Sequence, residues 1–192
     1  MAFRRKIDLQ LKRLSPDAVL PTYAHPGEDA AMDMVVTSVE YDEEHDAYVY
    51  GTGWACATDS LVAMLCHPRS SVYKQDFYLT NSVGIVDTKG YRGEIKAIFK
   101  HRDSLLVRLQ RNAQVYYDTL PWYKKLGRNV LTKIMIELRD EFLKHPCDFA
   151  PYKPGDRAFQ FWLTPIYETE ITEVDQLSET SRGTGGHGST GV

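Results

Sequence analysis

The 192-residue sequence lacks paired cysteines, long apolar runs and any excess of positive charge. Each absence argues against a class of protein. Its three cysteines, Cys56, Cys66 and Cys147, are odd in number and form no CxxC pair, so neither a zinc knuckle nor a disulfide framework is suggested. No stretch approaches the length that spans a bilayer, and the opening MAFRRKIDLQ carries charge without the apolar run of a secretory signal. A reducing cytoplasm is the expected setting, with no membrane partner. The formal net charge of -3 argues against duplex nucleic acid as the main partner, because proteins that track phosphate backbones are usually strongly basic. A site for a single nucleotide needs only a few well-placed cations and stays open.

What is present is a series of short, alternating or β-branched segments. IDLQL, from Ile7 to Leu11, is followed by MDMVV, YVYGTGWACAT, LVAMLCHP, DFYLTNSVGIVD and EIKAIFKH, separated by turn formers. A spacing of roughly 8–12 residues predicts an all-β barrel or sandwich rather than alternating strands and helices. Residues 103–148 break the pattern. Leu131, Ile134, Met135, Leu138 and Phe142 share one face of a helix over Val130 to Phe142, with Asn129 placed to cap it and Pro146 beyond its end. A weaker helical pattern runs from Ser104 to Tyr117, with Leu105, Leu109 and Tyr116 on one side. Strand-like spacing resumes from Phe159 to Tyr167. The last twelve residues, SRGTGGHGSTGV, hold five glycines. Such composition reads first as an unstructured tail. An arginine, an imidazole and hydroxyls among glycines that free backbone N–H groups also make it a candidate anion cradle.

Three stretches could carry chemistry. In NSVGIVDTKGYRGE, Asn81 to Glu94, the strand residues Ile85 and Val86 set Asp87 at a strand end, where a carboxylate is held firmly and can face a cleft as a general base. Tyr91 follows past the turn with a flat ring for a sugar. Taken alone, Asp87 reads more readily as a turn initiator. Pro68-Arg69-Ser70-Ser71 offers one guanidinium and two hydroxyls to a phosphate, although an isolated PRSS is equally a solvated loop. Gly155-Asp156-Arg157 with Gln160 is a turn entering a strand, and Asp156 and Arg157 are readable as a structural pair.

The order of these pieces carries more weight than any one of them. With DAAMDMVV, Asp29 to Val36, at the start and RGTGGHGSTG, Arg182 to Gly191, at the end, the chain resembles the five ordered motifs of the trimeric dUTPase family. The resemblance spans Ile7 to the C-terminus apart from 103–148, and includes members encoded by phages. It implies a mainly β fold, a jelly-roll-like β-barrel of the β-clip kind, formed by 1–102 and 149–178. A helical insertion at 103–148 and a flexible glycine-rich arm at 179–192 complete the expected organisation. It also implies a homotrimer with shared active sites and an enzyme that hydrolyses dUTP to dUMP and pyrophosphate with Mg2+. Asp87 would activate the attacking water, and Tyr91 would pack on the deoxyribose. Asn81, with the hairpin backbone at Gly84 and Val86, would read uracil. Arg69, Ser70, Ser71 and Gln160 would contact the phosphates. Arg182, Gly185, Gly186, His187, Gly188, Ser189 and Thr190 would close over the nucleotide. Magnesium would be held by phosphates and water, with Asp33 as an outer contact.

Two departures from the family pattern stand out. Three residues, Thr88, Lys89 and Gly90, separate Asp87 from Tyr91 where the family has two, and Gly90 is placed to absorb the extra one as a bulge. His187 stands where the family has a phenylalanine over the base. Two other functions compete. A dCTP deaminase shares the fold but carries a catalytic glutamate at the position of Ile98. A nucleotide-sensing regulator without catalysis would be expected to have lost Asp87 or the arm. The insertion reads either as a flap on the barrel or as a docking surface for a protein partner, with Tyr116, Tyr117, Trp122 and Tyr123 as contacts.

Overall fold

The computed structural model describes residues 6–125, 127 and 129–180. Among the described residues ten strands and two α-helices follow one another. They are β1 (Gln10–Arg13), β2 (Met32–Val35), β3 (Ser38–Asp42), β4 (Ala47–Gly51), β5 (Trp54–Ala57), β6 (Val62–Pro68), β7 (Phe77–Leu79), β8 (Gly84–Val86), β9 (Lys96–His101), α1 (Leu105–Thr119), α2 (Val130–Lys144) and β10 (Arg157–Pro165). All pairings are antiparallel. One sheet runs β2-β10-β6-β8, a second β3-β4-β9-β7, and β1 pairs with β5. The all-β barrel or sandwich expected from strand spacing is observed as three antiparallel sheets. IDLQL contributes its last residues to β1, which starts at Gln10, and the short polar β3 went unread.

Alternation explains why the two large sheets face each other. On β10, Phe159 and Phe161 are fully buried while Gln160 and Trp162 lie on the opposite face. On β9, Ala97 and Phe99 point inward and Lys96 and Ile98 outward. Met34, Tyr48, Tyr50 and Met64 complete the core between them. Each fully buried side chain of this size contributes about 1.5–3 kcal/mol.

The two helices occupy 103–148. Ser104 caps α1 by accepting a hydrogen bond from the Val107 N–H. The buried face of α1 runs through Leu109 and Ala113. Tyr117 is half-buried, whereas Tyr116 is 52% exposed. The sequence pattern favoured Tyr116 because the small Ala113 was not counted as part of the stripe. The α2 face is as expected, with Ile134 and Phe142 buried. Asn129 does precede α2, but its φ of 65° is left-handed and its side chain makes no capping bond. Asparagine tolerates that backbone conformation, so its role there is to turn the chain.

The Asp46 carboxylate and two aromatic side chains fasten this pair to the barrel. Asp46, in the β3–β4 turn with φ 48°, accepts hydrogen bonds from Tyr41 Oη, the Leu105 N–H and Arg108 Nη2. The Phe142 ring meets Tyr41 edge-on at 5.2 Å, and Tyr48 Oη donates to the Pro146 carbonyl.

Candidate functional site

The sequence-predicted residues fall into two clusters. The first is built at the ends of β2, β6 and β10. Register sets Asp33, Gln160 and His67 side by side across three strands. Arg69 follows β6 in extended conformation, and Ser70 and Ser71 open the short 3-10 helix Ser70–Lys74. Asp33, Arg69, Ser70 and Gln160 line an open depression of about 450 Å³ together with His25, Asp29 and Trp162.

Asp33 organises this cluster. Its carboxylate accepts from Arg69 Nε at 2.9 Å and from Arg157 Nη1 at 3.1 Å. Arg157 reaches it because β10 has a register shift between Arg157 and Phe159. Strict alternation would turn Arg157 toward the core with Phe159 and Phe161; the bulge returns it to the outer face beside Gln160. The expected Asp156–Arg157 pair is therefore absent. Asp156 instead accepts from the Lys153 N–H at 2.7 Å. Each Asp33 oxygen accepts from one guanidinium, so two cations flank the carboxylate. Arg69 is thus held by Nε, and its Nη1 also donates to the Arg157 carbonyl at 3.4 Å, which fixes the plane of the guanidinium beside the depression. No cluster of three or more carboxylate, histidine or cysteine side chains capable of holding a metal occurs among the described residues.

Next to this row, the His67 imidazole stacks on the Trp162 indole at 3.9 Å with planes 5° apart. Burial lowers the His67 pKa. Burial likewise pushes the thiol of Cys66, the preceding β6 residue, up to about 12.

The second cluster lies on β8 and the turn after it. Asn81, Gly84, Val86, Asp87 and Tyr91 line a depression of about 210 Å³ with Cys66, Glu94 and Lys96. A Cβ at Gly84 would come within 3.2 Å of Cys66 Cβ and 3.3 Å of Asn81 Nδ2, so glycine lets the Asn81 amide lie close over the strand. The exposed Asp87 carboxylate makes no hydrogen bond among the described residues, while its carbonyl accepts from the N–H groups of Gly90 and Tyr91. The extra residue is thus taken up in one helical turn rather than a bulge. Gly90 is not among the glycines with positive φ. Tyr91 folds back and donates to the Glu94 carbonyl at 3.0 Å, over Gly93, where a Cβ would run into its ring. The buried Thr88 hydroxyl donates to the Val62 carbonyl and pins the turn to β6. Thr88, Arg92 and Arg157 were not singled out as site residues from sequence; their partners are set by the fold, and Arg157 lies 124 residues from Asp33.

The two clusters sit at opposite ends of one strand. Val86 pairs with Met64, so Asp87 stands beside Ala63, six positions before Arg69. At ~3.3 Å per residue the backbone at Asp87 and the backbone at Arg69 lie about 20 Å apart along β6. Arg182, Gly185, Gly186, His187, Gly188, Ser189 and Thr190 lie outside the described residues.

No family model matches the chain. A deoxyuridine 5'-triphosphate nucleotidohydrolase of Nocardia farcinica is 33% identical over 184 residues, which is 95% of this chain and 85% of the relative. The chain belongs to the dUTPase family.

Among solved structures, a mutant dUTPase of Staphylococcus bacteriophage 80alpha with dUpNHpp superposes on this dUTPase-family chain with TM-score 0.62 at 20% identity, covering 96% of this chain and 99% of the phage protein. A mutant dUTPase from phage phi11 of S. aureus, described as coordinating a structural Mg(II) ion, has TM-score 0.54 at 19% identity, covering 90% and 99%. Both support the dUTPase fold. No helix among the described residues of this family member is long and apolar enough to cross a membrane.

Proposed function

We propose that the chain is a dUTP pyrophosphatase whose sites form between subunits of a homotrimer. The observation that carries this reading is the separation of the two clusters along β6. Each cluster holds half of what the chemistry needs, and a neighbouring copy supplies the other half. Asp87 accepts a proton from a water as the water oxygen attacks the α-phosphorus. The bond from that phosphorus to the oxygen bridging toward the β-phosphate breaks, and pyrophosphate leaves. The Tyr91 ring packs on the deoxyribose, where a 2'-hydroxyl would collide. Asn81 and the backbone at Gly84 and Val86 pair with the uracil edge, and cytosine would leave buried donors and acceptors unmatched. Arg69, Ser70, Ser71 and Gln160 of the next subunit hold the phosphates. With Arg69, Ser70, Ser71 and Gln160 holding the phosphates, a magnesium ion bound to the triphosphate would supply charge neutralisation. Arg182, His187 and the residues Gly185, Gly186, Gly188, Ser189 and Thr190 of the 179–192 arm close over it and exclude water.

In this reading 1–102 and 149–178 form the catalytic barrel in the cytoplasm, and 103–148 is a separate docking module. The exposure of Tyr116 and Trp122 favours a protein partner for that module. Deleting Leu105 to Lys144 is expected to spare hydrolysis and abolish such an interaction; loss of trimer formation would mark the segment as structural. A deaminase is disfavoured because Ile98 is an outward apolar residue of β9, paired with Val49, with no proton to transfer. Incubating the protein with dUTP, dCTP and dTTP, with and without magnesium, tests the assignment. Pyrophosphate from dUTP alone is expected, and ammonia from dCTP would overturn it. Asp87→Asn should keep nucleotide binding and lose turnover.

A further inference from the structure

The turn joining Asp87 to Tyr91 is one residue longer than the family pattern, and its backbone shows how that length is held. Two N–H groups, of Gly90 and Tyr91, converge on the Asp87 carbonyl, which closes one helical turn. A turn of this kind ends with outward carbonyls that no following N–H satisfies. Helices commonly solve this with a left-handed glycine, but Gly90 is not left-handed here. Arg92 supplies the solution instead. Its Nη1 donates to the Tyr91 carbonyl at 2.8 Å and the Thr88 carbonyl at 3.2 Å, and its Nη2 donates to the Lys89 carbonyl at 2.9 Å. A planar fork with several fixed donors can span three carbonyls; a lysine ammonium is a point charge on a flexible stem.

We propose that Arg92 is a positioning residue for the reaction, which locks the lengthened turn so that the Asp87 carboxylate and the Tyr91 ring keep a fixed relation. The inference rests on the roles given above to Asp87 and Tyr91. Arg92 touches no substrate. It acts through the turn, and three features make that action specific. Thr88 anchors one end of the turn to β6 through the Val62 carbonyl. The Tyr91 hydroxyl anchors the other end on Glu94. The stretch between them is exposed, with open space around Gly90 and only Arg92 tying its carbonyls together. Water can replace the guanidinium at the exposed Lys89 and Tyr91 carbonyls, the Thr88 contact being the part-buried one, so stability depends little on Arg92 while geometry depends on it strongly. A displacement on the order of 1 Å costs about 100-fold in rate.

The test uses the full-length protein with Arg92→Ala and Arg92→Lys. For Arg92→Ala, kcat/KM for dUTP should fall about 10- to 100-fold, with the preference for dUTP over UTP reduced at least fivefold because the ring no longer guards the 2' position. Arg92→Lys should fall between Arg92→Ala and the parent, and both melting temperatures should stay within about 2 °C of it. Amide exchange at Gly90 and Tyr91 should speed up about tenfold while that of β9 is unchanged, a readout independent of turnover. Unchanged exchange at Gly90 and Tyr91, or an unchanged dUTP/UTP preference in both variants, overturns the proposal. So does a loss of dUTP and UTP turnover in equal proportion with a collapsing melting temperature, the mark of a purely structural clamp. If the parent protein fails to hydrolyse dUTP, the functional reading falls while the exchange measurement still decides whether Arg92 locks the turn.

Discussion

Two inactive variants of this protein should restore each other. Asp87→Asn removes the proton acceptor and should lower turnover about 100- to 10,000-fold. Arg69→Ala removes charge-assisted hydrogen bonds worth about 1.5–3 kcal/mol, a loss of roughly 10- to 150-fold. In the proposed trimer a working site takes Asp87 from one subunit and Arg69 from the next, the two backbone positions being about 20 Å apart along β6 within one chain. In a randomly assembled trimer with a fraction f of one variant, a site has both groups intact with probability f(1−f). Equal mixing therefore gives about a quarter of parental activity, and a three-to-one mixture about 19%. The assay is pyrophosphate release after co-refolding differently tagged variants, with the Arg69→Ala background subtracted. A mixture no more active than the weighted mean of its components would show that each site lies within one chain, and the shared-site reasoning would fail.

Other perturbations read the remaining parts of the structure. Asp33→Asn should raise KM for dUTP by about tenfold by releasing Arg69, yet cost only about 1 kcal/mol of stability, because Arg69 is 30% and Arg157 52% exposed. Steady-state kinetics and a urea melt check both parts. Asp46→Ala removes three acceptor contacts at the root of α1, and Arg108 is only 11% exposed. The insertion should lose about 2–3 kcal/mol of local stability, seen as faster amide exchange in α1 and α2 with the barrel unchanged. Acidification should destabilise the fold through His67 and His101. Burial holds both below the ordinary value, joined at His101 by the nearby Arg108 charge. The unfolded chain then takes up protons first, so stability is full above about pH 6.5 and declines as pH falls through that value. Melting temperatures at pH 7.5 and 5 should differ less in His67→Asn and His101→Asn.

Local features were legible from sequence and long-range ones were not. The face of α2 was readable because five large apolar residues recur at helical spacing. The α1 face was misjudged because Ala113 contributes burial without bulk. Most strands announced themselves through buried alternation; β3 did not, since its outward Ser38, Glu40 and Asp42 dilute the signal. Asp87 and Tyr91 could be proposed from their turn. The lengthened turn itself was misread as a bulge, because hydrogen bonding to one carbonyl cannot be seen in residue spacing. The two arginine partners of Asp33 are not readable from sequence, because they lie 36 and 124 positions away and meet it only through sheet register and a shift in β10.

The spacing imposed by β6 also bears on when this chemistry switches on. Under the proposed shared-site arrangement, a newly made, solitary copy would carry the proton acceptor and the anion grip too far apart to use together and would be silent toward its nucleotide. Output would then climb more steeply than protein dose until copies had found one another, and a damaged copy would spoil the sites it shares with its neighbours.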